Sequence, residues 1–457
     1  MRDTMRKTTK ALATLTLVGA SLTLLLSCTH TPSLKTKQTV FVLKGARVID
    51  GTGAAPRDNA SIIIRNGAIE TIQNAQGALP DDAQILDVTG KTIIPALIAT
   101  HSHLGLTNGA EAGAKEITET NVTRQLRKFA RYGIGTVASL GTDHDFIYAM
   151  RERRRKTANQ TPYLLTAGRG FGVFEGAPPI SMGMDQVYRP LKVEQVDADM
   201  KELAAKKPDL VKVWVDDFNH SLKTKMNPTI YRRVIQDAHA NGLKVVAHVY
   251  YLDDAKKLAA DGVNFFGHSV RDRKIDKKLV ELMKEKNIAY IPTLQLDDAA
   301  FVYAEKPSWM KDEFFKKALD PGVEKWLASS AYKPKEINRK NLKIAQSNVV
   351  ELYRAGVRVG LGTDSGATIN RIQGFAEHRE LELLVQAGLT PMETLHIATG
   401  QSASILGVEN TRGVLAAGKV ADLIVLNADP LNDIRNTRNI HAVWLEGVKV
   451  ADEIDHP

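Results

Sequence analysis

Between residues 93 and 362, short β-branched runs alternate with helical stretches, and this alternation limits the fold more than any other feature of the chain. The runs fall at 93–100, 135–140, 163–167, 210–215, 244–248, 263–268, 288–294 and 357–362. Apolar residues at helical spacing fill several gaps, clearest over 231–241, 255–260 and 278–286. Parallel strands need long crossovers, and helices laid over the sheet supply them. Eight such units predict an α/β chain closed into a (β/α)8 TIM barrel. An open doubly wound sheet is the alternative. No Gly-x-Gly-x-x-Gly follows the first run, which counts against its dinucleotide-binding form.

Both ends of the chain are β-rich. Apolar runs at 40–48, 60–64, 68–72, 85–88 and 92–94 precede the alternation, with Arg65-Asn66-Gly67 as a hairpin signal. Further runs at 421–426, 440–446 and 448–450 follow it. The two ends are expected to pair into one small β-sandwich from 40–94 and 411–457, with the barrel over 95–410. One gap is too long for a simple connection. Residues 297–341 hold no strand but carry Phe301, Tyr303, Trp309, Phe314, Phe315, Trp326 and Tyr332, so a lid insertion or added helices are expected there.

The first 28 residues have the layout of a secretion signal. Basic residues over 1–10 precede an apolar run over 11–26, and Leu25-Leu26-Ser27-Cys28 closes it. The run is shorter than the ~20 residues that span a bilayer as a helix. Its end resembles a bacterial lipobox, and Cys28 is the sole cysteine in the chain. These features predict lipidation at Cys28, a polar tether over 29–39, and a membrane-anchored protein on the periplasmic or outer-membrane side of the cell envelope. The formal net charge is +9, of which residues 1–10 supply +3 (Arg2, Arg6, Lys7 and Lys10 against Asp3), leaving +6 spread along the rest. The one later basic cluster, 151–156, reads as a solvated helix end stabilised by the helix dipole. Nucleic acid is therefore not an expected partner, whereas a homo-oligomer is compatible with the sequence.

Chemistry gathers where the runs end. His101-Ser102-His103 closes the first run, and alternate residues of a strand face one side, so both imidazoles can reach one metal. Lys212 interrupts the apolar run 210–215, His248 and His268 close the fifth and sixth runs, and Asp364 follows the eighth. Barrel enzymes keep their active sites at the C-terminal ends of the strands. Any one of these residues alone has an ordinary structural explanation; their repetition at corresponding positions does not. Tyr251, His144 and Arg169 lie near the same expected mouth and are candidate substrate contacts, as are Phe171, Asp216, Asp217 and His220.

This pattern resembles the amidohydrolase superfamily, over nearly all of residues 40–450. Gly413-Val414-Leu415 and Gly418-Lys419-Val420-Ala421-Asp422-Leu423 fit the same resemblance, and residues 212–217 and 386–391 are similar to the branch of imidazolonepropionase-like proteins and Xaa-Pro dipeptidases. The resemblance implies two divalent ions, zinc being the first choice for such ligands. It also implies roles: His101 and His103 on one metal, His248 and His268 on the other, and a carbamylated Lys212 bridging them. Asp364 would serve as ligand and proton carrier. The implied activity is hydrolysis of amide or peptide C–N bonds in a small-molecule or short-peptide substrate, as in a dipeptidase or N-acyl amino acid hydrolase. Lactone or ester hydrolysis on the same site, and a non-catalytic envelope binding lipoprotein, are the alternatives. Two departures stand out. Pro95-Ala96-Leu97-Ile98-Ala99 lacks the glycine and acid often found before the first histidine, and residues 136–141 lack the Arg-Asp of many dipeptidase-like members.

Overall fold

A computed structural model describes residues 39–157, 160–180 and 186–452. The signal sequence, Cys28 and the tether up to residue 38 lie outside the described residues. The N-terminal strands are β1 (Val40–Val48), β2 (Arg57–Arg65), β3 (Ala68–Asn74), β4 (Gln84–Asp87) and β5 (Thr92–Pro95). Next come β6 (Leu97–Ser102) and a small hairpin of β7 (Thr107–Asn108) and β8 (Glu111–Ala112). The middle of the chain holds β9 (Ile134–Ser139), β10 (Tyr163–Thr166), β11 (Val211–Trp214), β12 (Val245–His248), β13 (Phe265–Phe266) and β14 (Ala289–Tyr290). The chain finishes with β15 (Leu423–Leu426), β16 (Ile440–Leu445) and β17 (Val448–Asp452).

The two ends share one mixed sheet in the order β17-β16-β15-β5-β1-β2-β3, with β4 also on β1. Asn66 and Gly67 both take positive φ, as a tight two-residue hairpin between β2 and β3 requires. Leu43, Ile62, Ile64, Ile93, Leu423 and Trp444 form part of the apolar core of this sheet, so neither end buries its apolar face alone. The seam with the rest of the fold is abrupt. Ala96 N–H donates to Asp422 O at 3.0 Å, and the next residue, Leu97, donates to Gly133 O at 2.9 Å. The run 93–100 is thus two strands, β5 in the terminal sheet and β6 beyond it. Both halves are buried, so no polar residue marks the change of partner.

From β6 onward the parallel pairing runs in a ring. β6 pairs with β9 and β9 with β10; β11, β12, β13 and β14 pair in order. Phe171, just after β10, exchanges hydrogen bonds with Lys212 O and Trp214 N in β11. The eighth run forms no regular strand, yet Tyr290 N–H donates to Arg358 O, and Thr100 N–H donates to Leu361 O. These contacts return the path to β6. Gly362 allows the closure: a Cβ there would lie 2.5 Å from the Ile291 side chain and 2.8 Å from His101 Cβ.

Each strand divides its residues between two sides. Val137, Val211, Val245 and Phe266 face a core shared with the helices, whereas Ala138, Leu165, Leu210, Val246 and Ala289 meet in a second cluster. The covering helices are α1 (Glu119–Arg131), α2 (Phe146–Lys156), α3 (Val193–Ala205), α4 (Pro228–Ala240), α5 (Leu252–Ala260) and α6 (Lys277–Glu285). Asn227 caps α4 ahead of Pro228, and Asp276 caps α6 through the Leu279 N–H, both usual helix starts. The basic end of α2 departs from the expected solvated face. Arg151 and Arg154 are buried, Arg151 against Asp209 and Arg154 against Glu446. Carboxylates from distant segments draw these two inward, which a helix read in isolation cannot reveal.

The long gap is helical. It holds α7 (Leu294–Asp298), α8 (Glu313–Ala318) and α9 (Val323–Leu327), and leads into α10 (Ile337–Arg354). Most of its aromatics pack on one another and on α11 (Phe375–Ala387): Tyr303 against Phe315 and Tyr332, Trp309 against Phe375. Two shorter helices, α12 (Pro391–His396) and α13 (Ser402–Leu406), precede the return to the terminal sheet. No helix among the described residues is long and apolar enough to cross a membrane.

Candidate metal centre

Six polar side chains from five separated segments meet at the C-terminal ends of the parallel strands. β6 and the residue after it bring His101 and His103, β11 brings Lys212 and β12 brings His248. His268 follows β13, and Asp364 follows the eighth run. All six are buried, Lys212 and His101 completely. Strand alternation places Lys212 on the same side as Leu210, pointing into the ring. Gly141, at φ 89°, leaves room for it, since a Cβ there would stand 2.8 Å from Lys212 Cβ.

The distances are short. The Asp364 carboxylate lies 3.3 Å from His101 Nε2 and 2.9 Å from His103 Nε2. Lys212 Nζ is 3.4 Å from His101 Nε2. The His248 and His268 rings are 4.1 Å apart, and His101 lies 4.5 Å from His268. Ligand atoms of His101, His268 and Asp364 all fall within 4.8 Å of one another, a grouping able to hold a metal ion.

Supporting contacts aim the rings. His101 Nδ1 meets Gly267 O at 2.6 Å, His103 Nδ1 meets Thr142 Oγ1 at 2.8 Å, and His268 Nδ1 meets Thr293 Oγ1 at 2.8 Å. Each contact engages the outer nitrogen and leaves Nε2 facing the centre, the arrangement that orients metal-binding histidines. His248 differs. Its Nε2 has no hydrogen-bond partner and faces Asp216 Oδ2, equally buried and unpartnered, at 3.6 Å. Asp364 sits at φ 59° in the left-handed region, and its flanks are tied down by Glu377, which accepts from Thr363 Oγ1 and Ser365 Oγ. Arg371 donates to the Asp364 carboxylate.

Electrostatics favour ligation. Burial, then the Lys212 cation, push His101 down to about 3. Burial leads the downward shifts of His103, His248 and His268 as well. All four imidazoles are therefore neutral near pH 7, the form that binds metal. Burial alone would raise the Asp364 carboxyl. The Arg371 guanidinium, followed by the adjoining His101 and His103, outweighs it and holds the group well below the usual carboxylate range. Burial pulls Lys212 down to about 7, and no carboxylate forms an ion pair with it among the described residues. Neutral nitrogen ligands, an ionised carboxylate and an unpaired buried lysine fit a divalent cation better than an ordinary polar core.

The expected ligand positions thus converge, but the expected substrate contacts do not line the adjoining cavity. That cavity, of about 410 Å³, is lined by His103, His248 and Asp364 together with Trp214, Tyr250 and Arg271. Tyr251 lies outside it, its hydroxyl donating to Asp217 at 2.7 Å; the neighbouring Tyr250 takes the wall position. Arg169 is turned to Asp145 and Glu202, and His144 packs near Phe146. Phe171 is fully buried between β10 and β11. Sequence reading missed Arg271, Arg371 and Glu377. Arg271, three residues past His268, carried a usable signal; the other two lie beyond the strand ends and carried none.

The sequence model of the amidohydrolase family matches residues 92–450. This chain belongs to the amidohydrolase family. As a family member it is a metal-dependent hydrolase, with His101, His268 and Asp364 as its buried candidate site. A 5-methylthioadenosine/S-adenosylhomocysteine deaminase of Bacillus cereus is 24% identical to this amidohydrolase over 400 residues, 82% of each chain. Among solved structures, a candidate prolidase from Bifidobacterium longum superposes with TM-score 0.73 at 24% identity, covering 91% of this chain and 95% of that one. A Xaa-Pro dipeptidase with methionine bound in its active site gives 0.72 at 20% identity, covering 90% and 99%. At these identities the structural likeness establishes a shared fold.

Proposed function

We propose that this amidohydrolase cleaves amide or peptide C–N bonds of small, amino-acid-like substrates. On this reading the hydrogen-bonded ring is a (β/α)8 barrel over 95–410, and the terminal sheet is a β-sandwich beside it. The observation that carries the proposal is Lys212: completely buried, 3.4 Å from His101, and without a carboxylate partner. An ammonium there would repel cations. A neutral amine adds to carbon dioxide through a new N–C bond and releases one proton to solvent, and the resulting carbamate offers two oxygens that share one negative charge. His101, His103 and Asp364 would then hold one ion, His248 and His268 the other, and Lys212 both. Divalent ions in such a site acidify a water and polarise a carbonyl. With the ions bound, Asp364 would be placed to take a proton from the attacking water and pass it to the departing nitrogen, and Arg371, which donates to its carboxylate, would keep that group ionised between turnovers.

Support from relatives is indirect: solved structures of the same fold include a Xaa-Pro dipeptidase with a bound amino acid. The test is metal analysis of protein purified without chelators, joined to a panel of N-acyl amino acids, dipeptides, cyclic amides and lactones. Two equivalents of metal, with amides turned over in preference to lactones, are expected. Lys212→Ala is expected to lose at least one equivalent. Full metal content in that variant, or turnover confined to lactones, would overturn this reading. Lipid anchoring at Cys28 in the cell envelope belongs to the same proposal.

A further inference from the structure

The metal-facing cavity has a second space beside it. A second chamber of about 440 Å³ adjoins it, and the two share Leu296, Lys335, Asn338, Ala367, Thr368 and Arg371. The two spaces thus meet along a common boundary, a neck formed by the helical insert and the segment after Asp364. Trp326, Tyr332, Ala300, Ala331 and Ile369 supply the apolar side of the chamber. The Tyr332 hydroxyl is engaged with Ala299 O at 3.0 Å.

Charge makes the neck selective. Five charged side chains line the metal-facing cavity: Arg271, Asp297, Lys335, Asp364 and Arg371. Arg271 pairs with Asp297 at 3.2 Å, and Arg371 pairs with Asp364. Lys335 is solvent-exposed and has no carboxylate in ion-pair range among the described residues, while its backbone N–H is fixed on Ala300 O at 2.9 Å, which holds it at the mouth of both spaces. The chamber beyond has only cations in its charged lining: Lys333, Lys335 and Arg371.

We propose that the chamber receives the leaving half of the substrate, an amino-acid residue with an aromatic or large aliphatic side chain whose α-carboxylate meets Lys335 Nζ. A single amino-acid residue carries an anion and a side chain on one carbon, which matches a lone cation beside an apolar chamber. The opposite orientation would bring the ammonium end of a dipeptide to a cationic neck. In the reaction, a C–O bond forms from water and the C–N bond breaks. The electron pair of that bond stays with the nitrogen, which takes a proton and leaves as the free amino acid. The inference rests on the amide-hydrolase reading and adds to it the class of leaving group and the residues that select it.

The test uses the metal-loaded enzyme with N-acetyl-L-phenylalanine, N-acetyl-L-phenylalaninamide and N-acetylglycine. The first is expected to exceed each of the others about tenfold in kcat/KM, the size of one charge-assisted hydrogen bond or one buried side chain. Lys335→Gln should raise KM for the first about tenfold and bring its ratio to the uncharged amide near one. Trp326→Ala should shrink the ratio to N-acetylglycine. Ratios untouched by both substitutions would overturn the proposal. Calorimetric binding of 3-phenylpropanoate separates this inference from the reading beneath it. Should wild type hydrolyse none of the three, tight binding that Lys335→Gln weakens about tenfold keeps the subsite and discards amide hydrolysis. Binding that is absent, or indifferent to Lys335, discards the subsite.

Discussion

Asp364 meets two imidazoles and a guanidinium on a left-handed backbone braced by Glu377. Replacing it with Asn preserves shape and one oxygen but removes the base. Asp364→Asn is expected to lower kcat on an amide by about 10²–10⁴-fold with much of the metal retained, measured as turnover and metal content on one sample. Near-normal kcat with full metal would assign proton transfer elsewhere. Asp216 is the second residue to change. Its unpartnered oxygen faces the unpartnered His248 Nε2 at 3.6 Å, and a small shift would make the hydrogen bond that orients this ring. Asp216→Ala should weaken metal affinity by about 10–100-fold in a chelator competition, and Asp216→Asn should recover part of the loss. Equal affinity in all three proteins would leave Asp216 without a part in metal binding. The candidate ligand histidines and Lys212 were legible in the sequence because strand alternation carries a residue's direction. Asp216 was legible only as a candidate, since which nitrogen it meets depends on β12 lying beside β11.

At the level of elements, α11 carries the clearest pH-sensitive contact outside the site. His378 is buried between the end of α1 and the segment before β16, with Nε2 on Tyr132 O at 2.8 Å and Nδ1 on Thr437 Oγ1 at 3.0 Å. Burial holds it down at about 3, far below its ordinary 6.5. The unfolded chain therefore takes up the proton first. The contribution is complete above pH 6.5 and is lost progressively as pH falls toward about 3. At about 1.4 kcal/mol per pH unit, the loss by pH 5 is roughly 2 kcal/mol. Urea unfolding at pH 7.5 and pH 5 should show His378→Gln losing less stability on acidification than wild type, by about that amount. Identical pH dependence would mean that the proton is taken up without strain. The elements themselves were largely readable, because helical and strand periodicities are local. Two features were not. The run 93–100 changes sheets at Ala96, and Arg151 and Arg154 turn inward to Asp209 and Glu446. Both depend on partners more than 30 residues away.

At the scale of the whole protein, the leader and the hydrolase unit make separate claims. Lipidation of Cys28 predicts a membrane fraction released by Cys28→Ser, because several acyl chains anchor firmly where one holds only marginally. The substitution is expected to move the protein to the soluble fraction with its specific activity intact, measured by fractionation and assay; an unchanged membrane fraction would place the anchor elsewhere. Within the hydrolase unit, the terminal sheet and the ring are built from interleaved parts of the chain. Residues 40–95 and 423–452 complete one sheet around everything between them. The sequence by itself determined the alternating α/β plan, the β-rich character of both ends and the polar residues at the strand ends. These follow from periodicity and composition, which act over a few residues at a time. Only the tertiary structure decided that six such residues meet in one buried centre, that Tyr250 rather than Tyr251 lines the cavity, and that Lys335 is left without a carboxylate. Those outcomes turn on which distant segments the fold brings side by side, and local periodicity carries no record of that.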